Sequence, residues 1–536
     1  MDGPDSLTIT PSNSRCDSEH VIALLREENQ AQREEINELK HQLEWFKRQL
    51  FGGKSEKCLP SDSPQMSLGE DVMGKRPQRP EPKKQKITYE RGVGPKVRPG
   101  DCVSDKGLRF SPDVPVKTIR LSAPGLDEAE ADQLELVTVN KHYRLAQRPA
   151  SYVVICYEQP VYKRKDTRQM MSVPMVSGVL DKSLADVSFL SGLLVEKFVY
   201  HMPLYRQHQR LENNGIQLSR ATLTNLVKRS ILLLAPIVDA QMSNILRSKV
   251  LAMDETPIKA GKSRKKKGRM HQGYYWPLYG DEDEIVFTYS QSRSRQVIEH
   301  LLSNTYAGTL LSDGYKAYAS YVKGCEARVR HAQCWTHTRR KFVEAEQSAP
   351  QEVEAVLTRI RVLYANEEVI RDKALEDERK RAYRLKHSKP IVDELLQWAQ
   401  DKMTEKSLLP KDPLTVALNY LLQRSEALQV FLEDPQVPLD TNHLERALRP
   451  IPMGRRNWLF CWTEVGAKQV GVIQSLLSTC KLQGVNPSVY LTDVLQRISI
   501  HPNNQIELLT PRLWKEYFAD NPMRSDLELV VNNIVE

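Results

Sequence analysis

The sequence predicts a multidomain α+β protein, and three observations carry that expectation. At 536 residues the chain is too long for one hydrophobic core. Its patterning changes several times, from a heptad to a Pro-rich basic stretch, then to strand-like and helix-like segments. From residue 248 a β-β-β-α-β order follows, with an aspartate closing its first and fourth strands. Hydrophobic residues at 40% and charged residues at 27% are ordinary for a globular chain and exclude a collagen-like or wholly disordered one.

The heptad covers residues 19–51. Ile22, Leu25, Asn29, Gln32, Ile36, Leu39, Leu43, Phe46 and Leu50 follow alternating steps of three and four. Asn29 takes an a-type position, where a buried amide fixes register and strand number. Polar flanks favour a dimerising coiled coil over a helix packed on its own domain. Residues 52–100 mix glycine, seven prolines and many basic residues, the composition of a flexible linker. Residues 101–166 read as short strands, as in Ser151-Tyr152-Val153-Val154-Ile155-Cys156-Tyr157. A helix over Leu204 to Asn213, a turn at Gly215 and a helix capped by Ser219 running through Lys228 resemble a helix-turn-helix bearing Arg220, Lys228 and Arg229.

Lys249 to Met253 is then a strand ending in Asp254, and strands follow over Gly273 to Tyr279 and Glu284 to Tyr289. A helix over Ser292 to Ser303 leads to a strand from Gly308 that ends in Asp313. That order is the order of a ribonuclease H-like core. Charged helical stretches interrupt it (Val353 to Tyr364, Asn366 to Lys386, Pro390 to Lys402, Pro413 to Phe431), before a helix containing Glu445. The implied division is a coiled coil (1–51), a basic linker (52–100), a small β-rich module (101–166) and a helical region with the helix-turn-helix (167–247). After these come a catalytic core in two parts (248–345 and 441–500) around a helical insertion (346–440), and a C-terminal tail (501–536).

Three carboxylates at the ends of core elements suit two-metal phosphoryl transfer. Mg²⁺ takes oxygen ligands, a few carboxylates among them. Two such ions about 4 Å apart activate the attacking oxygen and stabilise the leaving one. Asp254, Asp313 and Glu445 are the candidates. Glu255 competes for the first place, but strand alternation is expected to point it away.

The charge pattern points to the same partner. Lys and Arg number 77 against 68 Asp and Glu, a net +9. Lys75 to Arg98 holds a local +7, and Lys262 to Arg269 a local +6 from Lys262, Arg264, Lys265, Lys266, Lys267 and Arg269. The rest of the chain is near −4. Positive charge placed in this way suits a polyanion. The second run is expected at a hairpin tip beside the Asp254 edge, touching phosphate. Arg339, Arg340 and Lys341 are expected to approach phosphates, as are Arg446, Arg449, Arg455 and Arg456, whose alternative is pairing with the acidic insertion. His331, Cys334 and His337, three apart, read as one packed helix face rather than metal ligands. No basic start precedes an apolar run at Met1-Asp2-Gly3-Pro4-Asp5-Ser6, so no signal peptide is expected. Ile231 to Val238, the most apolar stretch, is well short of the roughly 20 residues of a membrane span. Eight scattered cysteines fit a reduced, cytosolic setting.

The chain resembles the bacterial insertion-sequence transposases of the sixty-six type, which are DDE transposases. Leu50-Phe51-Gly52-Gly53-Lys54-Ser55-Glu56-Lys57 is similar to their signature after a leucine zipper, and Met202-Pro203-Leu204-Tyr205-Arg206 with Gly215-Ile216-Gln217-Leu218-Ser219-Arg220 to their helix-turn-helix. Asp254-Glu255-Thr256-Pro257, Ser312-Asp313-Gly314-Tyr315, Cys334 to Phe342, Glu445-Arg446-Ala447-Leu448-Arg449-Pro450 and Gly454 to Phe460 follow in family order, as does the tail from Ser475 to Ile498. The resemblance implies that Asp254, Asp313 and Glu445 form the catalytic triad, using two Mg²⁺ or Mn²⁺ ions. It also implies nicking of the element's terminal inverted repeats and attack of the freed 3′-hydroxyl on target DNA. It further implies double-stranded DNA and small companion proteins of the same element as partners, at the nucleoid of a bacterial cytoplasm, with no membrane. One departure concerns zinc. The family carries two Cys-x-x-Cys pairs before the helix-turn-helix, whereas here Asp105 follows Cys102 by three and the second pair is replaced by Lys163-Arg164-Lys165-Asp166, so no zinc is expected. An element-derived repressor or architectural protein and a nuclease without strand joining are the competing readings. If residues 19–51 hold a homodimer or higher oligomer, deleting residues 1–50 leaves a monomer in sedimentation, and an unchanged dimer would remove the zipper assignment.

Overall fold

The computed structural model describes residues 102–103, 108–121, 134–148, 151–262, 269–302, 306–405, 409–458, 461 and 463–528. The coiled coil and basic linker expected over residues 1–100 lie outside them.

The β-rich module is built from longer strands than the sequence suggests. After β1 (Cys102–Val103), β2 (Arg109–Phe110) and β3 (Val116–Arg120) come β4 (Leu134–Arg148) and β5 (Ser151–Arg164), which pair as one antiparallel ladder. β3 lies parallel to β5, and β6 (Met170–Ser172) adds antiparallel on its other part. The apolar run of β5 is continuous because both faces are covered there. Tyr152 and Val154 join the main core, while Val153, Ile155 and Tyr157 pack with Leu527 in a second cluster. Tyr157 donates to Asp526 at 2.6 Å, so the C-terminal residues seal that face.

Helices α1 (Val187–Phe198) and α2 (Leu204–Asn213) follow. Gly215, at φ +76°, supplies the left-handed turn, and the two-residue strand β7 (Ile216–Gln217) joins β2. Ser219 caps α3 (Arg220–Ile245), its hydroxyl accepting from the Thr222 N–H at 3.0 Å. α3 runs well beyond Lys228, where the sequence reading ended it. Ile231, Leu234, Ile237 and Val238 are buried in the core and extend the helix, and Pro236 within it forgoes only its own backbone donor.

The central sheet has β8 (Val250–Met253), β9 (Thr256–Lys262), β10 (Met270–Tyr279) and β11 (Ile285–Ser290) before helix α4 (Arg295–Leu302). β12 (Gly308–Ser312), α5 (Lys316–Lys323) and β13 (Val329–Gln333) complete it. The strand order is β11-β10-β8-β12-β13, with β9 also on β10. β8, β12 and β13 are mutually parallel; β10 runs antiparallel to β8, and β11, antiparallel to β10, has the direction of β8 again.

After α6 (Trp335–Val343) the chain enters five helices: α7 (Pro350–Asp372), α8 (Asp377–His387), α9 (Lys389–Met403), α10 (Pro413–Leu422) and α11 (Ser425–Glu433). The first does not break near residue 365, as the sequence suggested. Val353, Val356, Ile360, Leu363 and Ile370 continue one buried stripe, and the position between the last two is Glu367. Arg384, fully buried, meets Glu367 through Nε at 2.8 Å and Nη2 at 2.7 Å. Its Nη1 donates to the carbonyls of Phe431 at 2.7 Å and Val437 at 3.0 Å. One guanidinium thus ties α7, α8 and the exit of the insertion together.

The chain returns through α12 (Asn442–Leu448), α13 (Pro450–Trp458), α14 (Glu464–Leu482) and α15 (Pro487–Arg497), then a 3-10 turn (Asn503–Leu509) and α16 (Pro511–Tyr517). Ser475 and Thr479 of α14 accept the backbone N–H groups of Phe287 at 2.9 Å and Ile285 at 3.1 Å, closing the β11 edge. Replacing Arg384 by Ala would strand Glu367 and the carbonyls of Phe431, Asp434 and Val437. The expected cost is about 3–5 kcal/mol in the unfolding transition of the insertion, read by denaturant titration.

Candidate active site

Asp254 follows β8 and Asp313 follows β12. Those strands are parallel, with Leu311 opposite Ala252, so the two aspartates occupy equivalent places at the carboxyl ends of neighbouring strands. β8 and β9 pair with β10 in one register, interrupted where Pro277 stands across from Asp254. Pro277 has no N–H to give a ladder. The break frees residues 254 and 255 from strand geometry, and there the alternation argument fails. Instead of pointing away, Glu255 lies with Asp254 and Asp313, a ligand atom of each within 4.8 Å of the others.

Local hydrogen bonds fix the carboxylates. Asp254 Oδ1 accepts from the Glu255 N–H at 2.7 Å, and Asp313 Oδ1 from the Tyr315 N–H at 2.8 Å. Gly314 permits the second turn, because a Cβ there would lie 2.3 Å from the Tyr420 hydroxyl of the insertion. Both oxygens of Glu255 are engaged: Oε1 accepts from Arg293 Nε at 2.6 Å and also from Nη2, and Oε2 from the Tyr318 hydroxyl at 2.7 Å. Arg293 stacks on the Tyr315 ring, 4.1 Å from its centroid. Burial, followed by the charges of Glu255 and Asp313, pushes Asp254 up to about 7. Burial likewise raises Glu255, against the pull of Tyr318 and Arg293.

Glu445 lies in the first turn of α12, its Oε1 3.7 Å from His337 Nε2. His337 also lowers the Asp254 pKa, so this imidazole faces the aspartate side and the α12 side alike. Its Nδ1 is buried with no hydrogen-bond partner among the described residues. The path from Asp313 to Glu445 is long in sequence and short in space. The segment between β13 and α12, α6 and the insertion together, starts at Cys334–Trp335 and returns at Leu439–Thr441, where Trp335 N–H donates to the Leu439 carbonyl at 3.2 Å. Thr441 donates to Cys334 Sγ through its backbone N–H and its hydroxyl, both at 3.3 Å.

His331, Cys334 and His337 do not share a helix face. His331 is on β13, bonded to Ser312 Oγ at 2.9 Å and lowered to about 4 by burial; Cys334 precedes α6; only His337 is in the helix. Sequence reasoning therefore missed His337, Arg293 and Tyr318. For the first the signal was its place beside Cys334 in a dense motif; the other two gave none.

Among the basic candidates, Arg339 and Arg340 are exposed on α6, and Lys341 pairs with Glu344 at 2.7 Å. Arg455 donates to the Pro257 carbonyl, three residues past Asp254, whereas Arg446, Arg449 and Arg456 are exposed. Arg220 and Lys228 are exposed on α3, Arg220 lying 5.8 Å from the Tyr205 ring, and Arg229 donates to the Asp181 carbonyl at 3.1 Å. Arg264, Lys265, Lys266 and Lys267 lie outside the described residues, as does the Lys262 side chain; Arg269 is exposed. β9 ends at Lys262, eight residues past Asp254, and the place of the run between β9 and β10 lies outside the described residues.

A family model described as "Transposase IS66 family" matches residues 182–469, a span containing Asp254, Asp313 and Glu445. "IS66 C-terminal element" matches 475–512, and "Transposase C of IS166 homeodomain" matches 38–169. The matched span and the acids it contains place the chain among the DDE-type transposases. Within that class, the chain belongs to the IS66 family. Similar proteins include the uncharacterized proteins y4hP, y4jD and y4qI of Sinorhizobium fredii (strain NBRC 101917 / NGR234). y4hP is 28% identical, covering 71% of each chain. y4jD is 30% identical, over 65% of this chain and 69% of its own, and y4qI 26%, over 75% and 74%.

The family implies a divalent metal, and the donor set fits one: clustered carboxylate oxygens with an unsatisfied Asp254 charge. A raised folded pKa means that the Asp254 contribution to stability is full below the ordinary carboxylate range and is lost as pH rises through about 7. In the absence of divalent cation, Asp254→Asn is therefore expected to melt a few degrees above the parent at pH 8, the gap closing near pH 4. Millimolar Mn²⁺ should raise the parent's melting temperature at pH 8 and not the variant's.

Proposed function

We propose that this protein is a DDE transposase that binds the terminal inverted repeats of an insertion sequence, nicks its ends and joins the freed 3′-hydroxyl to target DNA. The observation that carries the reading is the pairing of Asp254 and Asp313 in register on adjacent parallel strands, with Glu445 brought to the same side through His337. The sheet order, with β10 antiparallel between β11 and β8, supports a ribonuclease H-like core. The pair α2–α3, with its glycine turn and Ser219 cap, supports a helix-turn-helix for end binding, and residues 19–51 would dimerise the chain.

Asp254, Asp313 and Glu445 would hold two Mg²⁺ or Mn²⁺ ions. When bound, such ions activate the attacking oxygen and stabilise the leaving one during in-line displacement at phosphorus. Glu255 ranks below them because both its oxygens are already taken. It acts instead as the counter-charge that fixes Arg293 beside the acids. Arg455, held against the Pro257 carbonyl, is placed to receive a phosphate next to Asp254. His337 positions Glu445, its Nε2 lying 3.7 Å from Oε1.

The test uses the full chain, Mg²⁺ and a DNA fragment carrying the element's ends. Nicked and joined products are expected from the parent, and Glu445→Gln should reduce both at least about a hundredfold while leaving end binding intact. End binding without cleavage by the parent would favour a repressor, and cleavage without joining a nuclease.

A further inference from the structure

Where the helical insertion meets the core there is a cleft of about 350 Å³, lined by Thr336 and Arg339 of α6, Arg361 and Tyr364 of α7, and Asn442 of α12. That volume is at the small end of ligand-sized clefts, with room for one backbone unit of a nucleic acid. Its floor is a closed polar network. Asp440 accepts from Asn442 N–H at 2.9 Å, from Asn442 Nδ2 at 2.5 Å and from Thr336 Oγ1 at 3.2 Å, and the Thr336 and Tyr364 hydroxyls lie 2.8 Å apart. The Asp440 carboxylate is thus occupied by neutral donors rather than by the guanidiniums above it.

The two arginines are weakly committed. Arg339 is exposed and makes no ion pair among the described residues. Arg361 has one acidic neighbour, Glu354 at 3.7 Å, with both side chains about two-thirds exposed. A pair so solvated is worth little and yields to a better anion. Guanidiniums suit phosphate oxygens in a way that scattered surface charge does not, because the planar fork donates two parallel hydrogen bonds. The position matters as much as the charge. Thr336 precedes His337, and Asn442 is three residues before Glu445 on the same helix, so the cleft opens beside the third acid on the insertion side.

We propose that Arg339 and Arg361 clamp one backbone phosphate of a DNA strand running past Glu445, making the helical insertion part of the DNA-binding surface. The proposal rests on the transposase reading and adds a contact from the insertion to it. A backbone phosphate carries no sequence information, so the clamp fixes the path of the strand and not its sequence.

The experiment measures binding of the full chain to a fluorescent duplex of arbitrary sequence, a few tens of base pairs long, over a range of KCl concentrations. Each phosphate contact contributes about one to the slope of log K against log salt. Arg361→Ala and Arg339→Ala are each expected to flatten the slope by about one, with an unchanged circular dichroism spectrum, while Arg361→Lys keeps the slope. A slope unchanged in both alanine variants, with the parent binding normally, overturns the clamp alone. A parent that binds no duplex overturns the DNA reading and the clamp with it.

Discussion

The parallel pairing of β8 with β12 is the constraint on which the site depends. A register of one residue decides whether two strand-end carboxylates face the same volume or opposite faces of the sheet. Here the register brings Asp254 and Asp313 together, and burial with mutual repulsion makes that arrangement costly for a metal-free chain. The surrounding fold resists the repulsion. β10 flanks β8 with the buried Leu278 and Tyr279, and α14 closes β11 through Ser475 and Thr479. A sheet less firmly held could relax by letting the acids separate.

Glu445 depends on a second constraint, the closure of the insertion on itself. About a hundred residues intervene between the strand that follows Asp313 and the helix that bears Glu445, yet their two ends meet at Cys334–Trp335 and Leu439–Thr441. A loop whose ends are joined can be long without moving what lies beyond it, since the entropy of closure grows slowly with length. Arg384 adds rigidity inside the loop by gathering the carbonyls just before the return. The thiol of Cys334 thus serves the site by anchoring Thr441, the residue that precedes α12 and lies four positions before Glu445.

Much of this was legible in the sequence. Strand ends at Asp254 and Asp313, the caps at Gly215 and Ser219 and the helical nature of residues 346–440 follow from local rules of period, turn and cap. What failed were the extrapolations of local rules across tertiary context. Alternation misplaced Glu255 because Pro277, a residue of another strand, interrupts the ladder there. The end of α3 was set too early because the apolar run after Lys228 reads equally as a new element. The length of β4 was hidden because its outer half, Glu135 to Asn140, is exposed and mixes Leu136, Val137 and Val139 with polar residues, so no buried face marks it. His331, Cys334 and His337 look equivalent at a spacing of three, and only the change from strand to helix after Gln333 separates their roles.

The distribution of charge shows the same division between sequence and space. The net +9 is concentrated in two runs, most of both lying outside the described residues. The groups that stand near the acids come singly, from elements far apart in the chain: Arg293 before α4, the His337 imidazole in α6, Arg455 in α13. Each is held by a specific partner, namely Glu255, Glu445 and the Pro257 carbonyl. A diffuse basic run draws a polyanion to the surface from any direction, whereas guanidiniums fixed against named partners define where a phosphate can sit relative to a carboxylate. The proposed phosphoryl transfer would need the second kind of charge at the acids, where Arg293 and Arg455 are held by Glu255 and the Pro257 carbonyl.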